Sequence, residues 1–95
     1  MCLTDDEIAH RLLTLPRWYR EGDALVCDFD RVDFNGSIAF VNAIATVANE
    51  MNHHPDISIA WNHVVVRISS HDVRAITARD FTFACKLQSL ASSTG

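Results

Sequence analysis

The spacing of apolar residues switches between helical and strand periods along the chain, and each switch marks an element. Ile8, Leu12 and Leu15 recur at helical spacing behind Thr4-Asp5-Asp6-Glu7, a capping box in which hydroxyl and carboxylate satisfy orphan amides at a helix start. Pro16 cannot continue the hydrogen-bond ladder, so this helix is expected to stop near Leu15. Trp18 and Tyr19 open an extended segment that Glu21-Gly22-Asp23 reverses, after which Leu25, Cys27 and Phe29 alternate with Ala24, Val26 and Asp28. From Asp33 to Asn52 the period is helical again, with two adjacent apolar stripes: Phe34, Ile38, Val41, Ala45 and Ala48, and beside them Phe40, Ile44, Val47 and Met51. A single sheet face occupies one stripe. The second is expected to insert into the shared core, contact with another subunit being the other option.

A second hairpin follows, its return strand turning Val64, Val66 and Ile68 to the core and His63, Val65, Arg67, Ser69 and His71 to the other side. Thr77-Ala78-Arg79-Asp80 repeats the Thr-x-x-acid cap ahead of a last helix whose buried face is Phe83, Ala84, Leu87, Leu90 and Ala91; Ala91 to Gly95 is expected to fray. The predicted order is therefore α-β-β-α-β-β-α. Antiparallel hairpins with helices on one face make an α+β fold, a four-stranded antiparallel sheet in a single domain over residues 1–95.

The register of the second hairpin brings candidate chemistry together. With Asn62 and His63 at the tip, Trp61 pairs with Val64, Ile59 faces Val66 and Ile57 faces Ile68. Continued past both ends, this register sets His54 opposite His71, where facing Cα atoms lie roughly 4.5–5.5 Å apart. His53, His54 and His71 then converge at one end of the sheet, although Pro55 ends the regular ladder just before the histidines. His10 and His63 stand apart from them and read as surface residues.

Composition narrows the classes. Eight basic and twelve acidic residues give a net charge of −4 with no Lys/Arg cluster, so direct nucleic-acid binding is not expected. The three cysteines, Cys2, Cys27 and Cys85, are widely spaced without a CxxC pair, and no signal peptide or long apolar span is evident. A reduced, cytoplasmic protein without membrane attachment is expected, with Cys27 and Cys85 as buried structural residues.

Clustered imidazoles titrate near neutrality, so one member can donate a proton while another accepts it. Metal binding through three histidine nitrogens is the rival chemistry. Adjacent histidines suit it poorly, because on extended backbone their side chains point to opposite faces, and no HxH or HExxH motif accompanies them.

The run His53-His54-Pro55, the aromatic Trp61, His71 and then Asp80 resembles the pterin-4a-carbinolamine dehydratase family over nearly the whole chain. One position departs from the family pattern: Asn49 stands where a charged residue is usual, four before the first histidine. The resemblance implies a cofactor-free dehydratase acting on a 4a-hydroxytetrahydropterin, in the regeneration of tetrahydrobiopterin for aromatic amino acid hydroxylases. It implies His53 and His71 as general acids and His54 as a pterin-binding residue and base. Asn52, Ser69 and Ser70 are implied to contact or orient the ring, and Asp80 to orient a histidine, a role that competes with helix capping. No metal or cofactor is implied. Partners implied are a small pterin substrate and further copies of the chain in a homodimer or homotetramer. Related functions carried by the same resemblance are a protein-binding dimerisation cofactor and a divergent pterin-binding member linked to molybdopterin metabolism.

Overall fold

Thr4 and Glu7 form the full capping box, Glu7 N donating to Thr4 Oγ1 at 3.2 Å and Thr4 N donating to Glu7 Oε1 at 2.9 Å. This cap starts α1 (Asp5–Leu12) in the computed structural model, which describes residues 2–93, for Ser93 the backbone alone. The chain continues through Leu15 by i→i+3 turns rather than α-helix, so α1 ends earlier than Pro16 alone dictates. Gly22, at φ +60°, supplies the left-handed residue that lets β1 (Tyr19–Glu21) fold back onto β2 (Ala24–Asp30). Asp33 caps α2 (Phe34–Met51) by accepting from Gly36 N at 2.8 Å. β3 (Asp56–Ala60), β4 (His63–Ile68) and α3 (Ala78–Ser93) complete the α+β order expected from the sequence. The sheet is antiparallel throughout, in the order β1-β2-β4-β3.

The core lies between one sheet face and the helices. Leu25, Cys27, Phe29, Val64, Val66 and Ile68 leave the strands with no exposed surface, and Phe40, Ile44, Phe83 and Leu87 meet them from α2 and α3. Trp18, Phe29 and Phe40 form an edge-to-face aromatic chain with centroids 5.8 and 4.9 Å apart, a geometry favoured by the ring quadrupoles. Burial pushes the Cys27 thiol up to about 11, which makes it inert.

Four expectations need correction. The second hairpin turns at Trp61-Asn62, so Ile59 faces Val64, Ile57 faces Val66 and Ala60 faces His63. This is a slip of two positions. Because strand side chains repeat every two residues, the slip leaves every apolar residue on the expected face, but it removes the pairing of His54 with His71. The turn forms with Trp61 at φ +54°, and long-range bonds hold it there: Ser37 Oγ donates to Trp61 O at 2.7 Å, and Arg31 N to Asn62 O at 2.7 Å. On α2 the second stripe enters the core through Phe40 and Ile44, with Val47 and Met51 packed against it, but the first is only partly buried: Ala48 is in the core and Val41 packs against it, while Phe34 and Ile38 are exposed. α3 runs on through Ala91 to Ser93 where fraying was expected; Thr94 and Gly95 lie outside the described residues. Cys85 is exposed on α3 and is not a core cysteine.

Phe29 joins both aromatic contacts from the centre of the sheet. Phe29→Ala should cost about 3–5 kcal/mol of stability, read from urea denaturation. A loss below about 1 kcal/mol would contradict this packing.

Candidate active site

The chain leaves α2 through a left-handed residue. Asn52 sits at φ 50°, ψ 46°, His53 N donates to Ala48 O at 3.0 Å, and Asn52 N donates to Asn49 O at 3.3 Å. That pair of bonds is a Schellman turn, and Asn tolerates its left-handed position better than most side chains. The turn redirects the backbone so that His53 points inward, 6% exposed, edge-on to Phe83. His54 falls back toward the helix, exposed, its Nε2 paired with Asn49 Oδ1 at 3.0 Å.

His53 meets a buried polar network. Its Nε2 lies 2.6 Å from Asp80 Oδ1 on the first turn of α3, and Asp80 has no exposed surface. Asp80 Oδ2 accepts from Thr77 N at 2.8 Å and from Ser70 Oγ at 3.0 Å, and Ser70 and Thr77 hydroxyls are 2.8 Å apart. Asp80 therefore caps α3 and orients a histidine at once, one oxygen for each task. An acceptor-only carboxylate requires His53 to carry a proton on Nε2. Nδ1 is then the nitrogen left for chemistry, and among the described residues no hydrogen bond occupies it.

Ser70 and Thr77 also line a cleft of about 250 Å³, with Asp72, Val73, Ala78 and Arg79. The Arg79 guanidinium bonds Asn52 O at 3.1 Å, tying the start of α3 to the turn that carries the histidines. The cleft meets the network through Ser70 and Thr77, which contact Asp80, the carboxylate that pins the His53 imidazole.

Comparison with known proteins fits this geometry. The family profile described as pterin 4 alpha carbinolamine dehydratase matches residues 1–90. The chain belongs to that family. A relative from Thermomicrobium roseum, provisionally named a pterin-4-alpha-carbinolamine dehydratase, is 44% identical over 90 residues, covering 95% of this chain and 97% of its own. A similarly named protein of Thermosynechococcus vestitus is 44% identical over 89 residues, covering 94% of each chain. The crystal structure of a transcriptional coactivator/pterin dehydratase from Brucella melitensis superposes with a TM-score of 0.92 at 28% identity, covering 96% of this chain and 99% of that one. A pterin dehydratase-like RuBisCO assembly factor of the alpha-carboxysome shares the fold at 21% identity, with a TM-score of 0.65 over 79% of this chain and 87% of that one.

In this pterin carbinolamine dehydratase family member the expected site residues fall into two groups. His53, Ser70 and Asp80 are bonded directly, and Asn52 and His54 adjoin them on the α2 turn. Ser69 and His71 make no hydrogen bond to this network among the described residues; His71 is exposed, one residue beyond Ser70, at the start of a turn closed by the Ser70–Ala75 bridge. Sequence reasoning missed Thr77 as a network member and Arg79 as a tether. The Thr-x-x-Asp cap was the available signal for the first, and Arg79 left none. At the opposite end of β4, on the outer sheet face, His63 Nδ1 lies 2.8 Å from Asp30 Oδ1 and 3.3 Å from Asp28 Oδ1, all three exposed. Such solvated pairs contribute little.

Removing the Asp80 carboxylate strands three buried donors. Asp80→Ala should lose about 3–5 kcal/mol, the usual cost of breaking a buried pair, in chemical denaturation. A loss below about 1 kcal/mol would mean the network is not what holds α3 to the α2 turn.

Proposed function

We propose that this protein is a cofactor-independent dehydratase that converts a 4a-hydroxytetrahydropterin to quinonoid dihydropterin and water, serving tetrahydrobiopterin regeneration. The observation that carries the reading is His53, fixed through Nε2 by a buried carboxylate with Nδ1 left for the substrate. In the reaction the C4a–O bond breaks as a proton reaches the departing oxygen, which leaves as water. The N5 proton is taken up, and the nitrogen lone pair closes the C4a=N5 double bond. One proton is given and one taken, which is paired acid–base work.

In this reading His53, which in its acid form holds a second proton on Nδ1, and His71 deliver the proton to the leaving oxygen, and His54 binds the ring and accepts the N5 proton. Ser70 and Asn52 act by holding the histidines, since the Ser70 hydroxyl is engaged by Asp80 and the Asn52 carbonyl by Arg79. Ser69 stands on the same strand end as Ser70 and takes a substrate-contact role. Asp80 is a positioning residue.

Dehydration of freshly generated 4a-hydroxytetrahydropterin, followed spectroscopically, tests the reading. His53→Ala and His71→Ala should each lower kcat by up to about 10²–10⁴-fold, the range for a positioned acid or base. The double variant should be nearly inactive while folded by circular dichroism, because the two acids partly substitute for each other. His10→Ala and His63→Ala should keep the wild-type rate, and so should wild-type protein dialysed against a strong chelator. A folded double variant with wild-type activity would overturn the assignment, and zinc-restored activity after chelation would revive a metal mechanism.

A self-association reading also has an observation behind it. Val32, Phe34 and Ile38 are 81, 51 and 38% exposed at the start of α2, an apolar surface that a second copy would cover. Light scattering at micromolar concentration should report a dimer or tetramer; a monomer would contradict this.

A further inference from the structure

His53 and His54 are adjacent in sequence, yet each is held through the same ring nitrogen by a different kind of acceptor. His53 Nε2 meets the Asp80 carboxylate, buried, at 2.6 Å. His54 Nε2 meets the side-chain amide of Asn49 at 3.0 Å, at the exposed rim. The Schellman turn at Asn52 makes the second contact possible, because it folds the chain back over the last turn of α2 and sets His54 against the residue five positions earlier. Asn49 is exposed and has no place in the core, so its side chain is not needed for packing.

A neutral imidazole carries one proton, and the nitrogen that donates it decides which nitrogen is basic. With the Asn49 carbonyl oxygen toward it, His54 donates from Nε2 and its bare Nδ1 becomes the acceptor. We infer that Asn49 is a positioning residue whose side-chain carbonyl holds the His54 ring through Nε2 and presents Nδ1 as the base for the dehydration. The inference rests on the dehydratase reading and adds a division of labour to it. A carboxylate backs the histidine that gives the proton, and a neutral amide backs the one that takes it.

The test pairs a spectrum with a rate. Nitrogen-15 imidazole spectra of wild-type protein should show His54 in the Nε2–H form alone, with an unprotonated Nδ1. Asn49→Asp, which can only accept at this position, should keep that form. Asn49→Leu, a good helix former on an exposed face, should leave the fold intact but release His54 to the tautomer mixture of free imidazole in water. Its kcat for 4a-hydroxytetrahydropterin should fall about two- to tenfold, the value of one net hydrogen bond, with KM unchanged. The inference is overturned if Asn49→Leu keeps the wild-type spectrum and rate, or if wild-type His54 carries its proton on Nδ1 and Asn49→Asp moves it to Nε2, which would mean that the amide NH₂ faces the ring. Should wild-type protein lack dehydratase activity, the spectra still decide the tautomer, so failure of the functional reading is seen separately.

Discussion

A carboxylate with no exposed surface is the constraint on which this site depends. Burying Asp80 is unfavourable unless donors converge on it, and three do: the Thr77 amide, the Ser70 hydroxyl and the His53 ring. Those donors come from the end of α2, the segment after β4 and the start of α3. Satisfying one charge therefore fixes three chain segments relative to one another. The same contacts set which histidine nitrogen is left without a hydrogen bond.

Around this point the architecture is arranged to present rather than enclose. The sheet and helices bury Phe29, Phe40, Phe83 and their neighbours below the network, which gives the polar cluster a rigid floor. Above it the cleft lined by Ser70, Thr77 and Arg79 opens to solvent. Arg79 ties the Asn52 carbonyl to α3, so the turn carrying His53 and His54 is held from both sides. The far end of the β3–β4 hairpin is fastened separately, through Ser37 and Arg31, and carries none of this chemistry.

Much of the fold was legible because local signals agreed with tertiary packing. The Thr4–Glu7 box, the helical period from Asp33 and the alternation in β2 and β4 each named an element correctly. The hairpin register was not legible: its turn places a bulky Trp61 in the left-handed region, a choice imposed by bonds to residues on α2 and before it. Parity hid the error, since a two-residue slip keeps Ile57 and Ile59 on the same face as Val64 and Val66. The site was half legible. Thr77 to Asp80 announced a cap, but nothing local shows that the second carboxylate oxygen takes His53, whose ring arrives from 27 residues earlier.

The central claim is that His53 Nδ1 is the atom offered to the substrate while Asp80 holds Nε2. A crystal structure with a bound reduced pterin measures this directly. The account predicts the C4a–N5 edge of the ring within about 2.6–3.2 Å of His53 Nδ1, over the cleft beside Ser70, with the Nε2–Asp80 contact intact. A pterin seated away from His53, or one bound to Nε2 with Asp80 displaced, would contradict it.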